Sequence, residues 1–78
     1  MPRSTGSPPW VVDNRRRVGE QIRAARLRAQ LTQEAVANRC EMERPNYVRI
    51  ERGQASATLD TLFLIANALG VPLADLVR

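Results

Sequence analysis

Seventy-eight residues fit one small domain, and a chain this short buries only about 60% of its unfolded surface, leaving little room for an enclosed active site. The 12 basic residues are all arginine and face 8 acidic ones, giving a net charge of +4 with no histidine. Without His or Lys the commonest general base and the Schiff-base amine are missing, and a lone cysteine, Cys40, excludes an internal disulfide and a multi-cysteine zinc site. The expectation is therefore no enzyme, no cofactor and no metal, but a module that binds an anionic polymer. The apolar run Trp10-Val11-Val12 is too short for a signal-peptide core. Leu62 to Val71, interrupted by Asn67 and Gly70, falls short of the roughly 18 residues of a membrane span. No membrane partner is expected, and the localisation read from this is cytoplasmic.

In chain order, residues 1–12 hold three of the five prolines together with Gly6, Ser4 and Ser7. That composition reads as a flexible N-terminal arm preceding a domain over 13–78. Asp13 is placed as the N-cap of a helix from Asn14 to about Ala29, whose stripe is Val18, Ile22, Ala25 and Ala29. Thr32 caps a second helix through Cys40, with Leu31, Val36 and Cys40 toward the core and Ala37 allowing close approach. After a turn at Glu41-Met42-Glu43, a third helix runs from Arg44 to Arg52. Pro45 lies in its first turn, where the missing N–H costs nothing, and Gly53 ends it. Thr58 caps a fourth helix with a broad buried face of Leu59, Leu62, Phe63, Ile65, Ala66 and Leu69, stopped by Gly70 and Pro72. A short fifth helix near Leu73 to Val77 presents Leu73, Leu76 and Val77. With no alternating strand pattern and no internal repeat, the class is all-α, a compact five-helix domain.

Two helices of about eight residues joined by a short turn, each with a narrow apolar stripe, make the helix-turn-helix layout over Leu31 to Gly53. The stretch resembles the lambda-repressor-like, or Xre, family. The likeness extends over residues 18 to 77 through Gly19-Glu20-Gln21-Ile22-Arg23 with Arg26, Leu31-Thr32-Gln33-Glu34, Ile50-Glu51-Arg52-Gly53, Leu59-Asp60-Thr61-Leu62, and Ala68 to Leu73. It departs from the family at Glu41, where glycine is usual in the turn, and at Ala57, where proline is common. Pro45 and Asn46 are unusual at the start of the recognition helix, so the base preferences of relatives do not transfer.

The resemblance implies that helix 44–52 lies in the major groove, with Arg44, Pro45, Asn46, Val48 and Arg49 outward and Tyr47 and Ile50 inward. Arg44 and Arg49 suit guanine O6 and N7, Asn46 suits adenine and Val48 a thymine methyl. Phosphate contact alone is the alternative for the two arginines. Gln33 stands where family members hold a phosphate at a helix end, or it is a plain first-turn polar residue. Arg52 and Thr58 are further phosphate candidates. The family pairs the positions of Arg26 and Glu51 in a partly buried ion pair, a structural role. Arg15, Arg16 and Arg17 oppose the helix macrodipole, so they are a solvated face, phosphate clamps or, with Arg3, a means for the arm to enter a minor groove. Residues 1–30 carry +5 and residues 31–53 zero, which places much of the attraction in the arm and first helix. Trp10 is expected to fold back onto the domain or to meet a second copy.

These residues together point to a sequence-specific, double-stranded DNA-binding transcriptional regulator, similar to small phage-type repressors and restriction–modification controller proteins. It would act as a homodimer on a pseudo-palindromic operator, with Leu73, Leu76 and Val77 as the dimer seam. The alternatives are the antitoxin of a toxin–antitoxin pair, with a toxin as protein partner, and the DNA-binding domain of a longer regulator.

Overall fold

The computed structural model describes residues 6–78 and is all-helical over them, as the sequence implies. The helices are α1 (Pro9–Arg28), α2 (Gln33–Arg39), α3 (Arg44–Glu51), α4 (Leu59–Leu69) and α5 (Ala74–Val77). Thr32 and Thr58 cap α2 and α4 as expected, their hydroxyl oxygens accepting from the N–H of Ala35 and Thr61 at 3.0 Å each. Gly70, left-handed, ends α4.

The start of α1 corrects the sequence expectation. The helix begins at Pro9, with Asp13 inside it and not at its cap. Proline at the first helical position has its φ already set and lacks only an N–H that has no helical partner there. The N–H groups of Val11 and Val12 then donate to the Pro8 carbonyl at 3.0 and 3.1 Å. Residues 9–12 of the expected arm are thus helix, while residues 1–5 lie outside the described residues. Trp10 does not fold back: it is 67% exposed.

The core joins Ile22 and Ala25 of α1 to Val36, Tyr47, Ile50, Ile65, Ala66, Leu69 and Leu76, with Cys40 packed among them. Burial pushes the Cys40 thiol pKa up, so it remains an inert apolar filler. At Gly19, α1 comes against the end of α3 so closely that a Cβ there would overlap the backbone oxygens of Glu51 and of Ile50, the latter at 2.9 Å. Only glycine permits this approach.

Two apolar assignments change. Leu59 and Phe63, expected on the buried face of α4, are 58% and 50% exposed, and Leu64 is 48% exposed. A helix apolar around most of its circumference buries only the side that meets neighbours, here Ile65, Ala66 and Leu69. Leu76, expected at the dimer seam, is instead fully buried in its own chain. Arg17 Nε and Gln21 Nε2 hold the end of α5 against α1 through the Arg78 backbone oxygen, at 3.1 and 2.7 Å. Leu73 packs on the same core, and Val77 alone of the three is exposed.

Candidate nucleic-acid interface

The segment from α2 to α3 turns on Glu41, whose φ is +54°. The Met42 N–H reaches back to the Ala37 carbonyl at 3.0 Å, closing the end of α2. This is the left-handed position where the family favours glycine. A glutamate there costs about 1 kcal/mol relative to glycine. Pro45 sits in the first turn of α3, as its fixed φ allows.

At about 100° per residue, α3 has two opposed faces. Tyr47, Ile50 and Glu51 are buried, and Arg44, Pro45, Asn46 and Arg49 are exposed. Val48, expected outward, falls between Arg44 and Pro45 on the helical wheel and is half-buried. Arg44 borders α2, where it lines an open recess of about 360 Å³ with Arg26, Thr32, Gln33 and Glu34. On the helical wheel Asn46 falls at the far edge of the arc from Arg44.

Glu51 anchors the buried face. Its carboxylate accepts from Arg26 Nε at 2.8 Å, Arg26 Nη2 at 3.0 Å, the Tyr47 hydroxyl at 2.6 Å and Gln33 Nε2 at 3.1 Å. Arg26 Nη1 also donates to the Leu31 carbonyl at 2.9 Å, so one guanidinium ties α1 to the link before α2 and to the end of α3. Burial alone would raise the Glu51 pKa, but the hydrogen bonds from Arg26, Tyr47 and Gln33 outweigh it and hold the group ionised below its usual range. Burial and the bond to Glu51 push the Tyr47 phenol pKa up, so it stays a donor. The expected Arg26–Glu51 pair is therefore present and fork-shaped. Tyr47 and Gln33 as its further partners escaped the sequence analysis. The four-residue step from Tyr47 to Glu51 along one helix face is the signal that could have found the first.

The other expected contact residues are scattered. Gln33 donates one amide hydrogen inward to Glu51 and keeps a second donor hydrogen. Thr58 is occupied in capping α4, its hydroxyl meeting Thr61 Oγ1 at 2.9 Å. Arg52 is exposed just beyond α3. The arginine run divides. Arg15 Nε donates to the Gly53 carbonyl at 3.0 Å, and the Arg16 stem packs on Gly53, which has φ +72°. Arg17 faces Asn14 and the end of α5. Arg15 and Arg16 thus neighbour the loop after α3, and Arg17 does not belong to that side.

A helix-turn-helix family profile matches residues 22–76. The chain is 37% identical over 59 residues to the control protein C.BamHI of Bacillus amyloliquefaciens, covering 74% of this chain and 73% of that protein. It is 39% identical over 57 residues to the transcriptional repressor RstR of the cryptic phage CTXphi in Vibrio cholerae, covering 73% of this chain and 51% of that repressor. Its fold matches the restriction–modification controller protein C.AhdI of Aeromonas hydrophila with a TM-score of 0.79 and 26% identity, over 82% of this chain and 97% of that one. Among the described residues no helix is long and apolar enough to cross a membrane. Family profile, relatives and fold agree with the paired helices: the chain belongs to the helix-turn-helix family, in its Xre-like, lambda-repressor-like branch.

Proposed function

We propose that this chain is a sequence-specific, double-stranded DNA-binding transcriptional regulator that places α3 in the major groove. The observation that carries the reading is the division of α3: a buried face fixed at Glu51, and an exposed face of Arg44, Pro45, Asn46 and Arg49. A helix clamped from behind can hold side chains in register with base edges. Arg49 and Arg44 take guanine, Asn46 takes adenine, and half-buried Val48 lends its rim to a thymine methyl. Arg52, Arg15 and Arg16 supply phosphate contacts beside the loop after α3, with the free hydrogen of the Gln33 amide as a further donor.

One such helix reads about half a site, so the reading includes a homodimer on a pseudo-palindrome. Leu76 is consumed by its own core, which moves the seam to the exposed apolar side of α4, Leu59, Phe63 and Leu64, and leaves Val77 as the one exposed residue of α5's expected contribution. The chain spans about half the length of the RstR repressor. The same interface serves a free-standing regulator or the DNA-binding part of a longer one.

The test is selection of bound duplexes from a randomised pool at near-physiological salt. Enrichment of an inverted repeat with half-sites about one helical turn apart is expected. Binding that enriches no sequence and collapses steeply with added salt would sink the sequence-specific part of the reading.

A further inference from the structure

Glu43 stands at the N-cap of α3, one residue ahead of Arg44, with extended backbone (φ −67°, ψ 139°). It is exposed. Unlike Thr32 and Thr58 at the starts of α2 and α4, its side chain makes no capping hydrogen bond. Nor does it form an ion pair with Arg44 or any other cation among the described residues. Its carboxylate is therefore uncommitted at the leading end of the reading helix. If α3 enters a major groove, that end approaches phosphates within screening distance, and a free negative charge there weakens binding to DNA of any sequence. A glutamate in this place is a cost to affinity unless something in the groove donates to it. The major-groove edge offers such a donor at cytosine, the N4 amino group.

We propose that Glu43 is a specificity-determining residue, its carboxylate accepting a hydrogen bond from cytosine N4 at a base pair next to the one read by Arg44. The inference rests on the DNA-reading assignment of α3. It adds a discriminating element to the attractive ones: the carboxylate is repelled by phosphate at every site and repaid only where cytosine stands opposite.

Duplex selection on the wild type, Glu43→Ala and Glu43→Gln, with thermal melts of all three, decides it. The wild type is expected to enrich cytosine at one position of each half-site. Glu43→Ala should flatten that position alone, by a factor on the order of ten, while melting as the wild type does. Glu43→Gln should turn the preference toward adenine, which an amide pairs with through N6 and N7. The proposal is overturned if Glu43→Ala keeps every position of the wild-type motif and merely binds all sequences more tightly, which makes the carboxylate a repulsive charge only. It is also overturned if Glu43→Ala keeps the motif and melts lower, which makes it a partner of the α3 dipole. A wild type that enriches no motif overturns the DNA-reading assignment and this inference together. An unchanged motif in the variants overturns the inference alone.

Discussion

The two faces of α3 are opposite in character. On the inner face, Glu51 engages three side chains and Tyr47 is fully buried. On the outer face, Arg44, Asn46 and Arg49 are exposed, and their side chains make no hydrogen bond or ion pair among the described residues. The same eight residues thus hold a rigid mount and a free set of donors. The lesson is that stability and recognition are separable here by turning about 180° around one helix, so substitutions on the two sides should change different observables.

The largest expected effect breaks the mount. Gly19→Ala drives a methyl group into the Ile50 and Glu51 carbonyls and should destabilise the domain by about 3 kcal/mol, read as a lower denaturation midpoint. Next, Glu51→Gln leaves the buried Arg26 guanidinium without its counter-charge and should cost on the order of 3 kcal/mol. The pH profile carries the same signature. Because the folded Glu51 pKa is depressed, its contribution is complete above the ordinary carboxyl value of about 4.3 and is lost as pH falls through the folded value. Glu51→Gln should flatten that part of an acid denaturation curve; an unchanged acid limb would refute the assignment. Tyr47 acts at the other extreme: its raised pKa means its contribution is complete below about pH 10 and falls as pH rises beyond.

On the outer face the expected stability changes shrink below about 0.5 kcal/mol, and binding changes replace them. Arg49→Ala should lose about 1–3 kcal/mol of discrimination at one base of each half-site while melting normally. Gln33→Ala straddles the two faces and has the smallest effect: a slight fall in melting temperature from the lost bond to Glu51, and a weakening of all DNA sequences by the same small factor. If Arg49→Ala also weakens all sequences equally, Arg49 touches phosphate and the outer face reads less than proposed.

The parts of this architecture legible in the sequence are those set by local chemistry. Thr32, Thr58, Gly53 and Gly70 mark helix ends because capping hydroxyls and left-handed backbone are decided within a few residues. Glu41 follows the same rule in reverse, its positive φ signalled by the glycine the family prefers there. What escaped depends on tertiary geometry or on a residue with two opposite meanings. Pro8-Pro9 reads as a breaker, yet proline at the first turn starts α1. The apolar pattern of α4 cannot say which side meets the core, so Leu59 and Phe63 were expected inside and lie outside. Leu76 fell to the opposite error, because a one-turn helix on so small a domain has its middle residue pulled into the core. For the interface, the sequence placed Arg44 and Arg49 on the outward side of α3. It missed that Gln33 turns toward Glu51 and that Arg17 leaves the side of its two neighbours.

Trp10 and Tyr47 are the chain's only tryptophan and only tyrosine, and they sit in opposite surroundings. Trp10 is open to water on the first turn of α1, while Tyr47 is buried beneath α3 with its hydroxyl on Glu51. The protein therefore carries two intrinsic optical labels on two separate parts of its structure. Indole emission follows encounters at the leading end of α1 and is little altered by loosening of the core. The near-ultraviolet dichroism of the single phenol follows the mount behind the reading helix, so the two events can be watched in one unmodified sample.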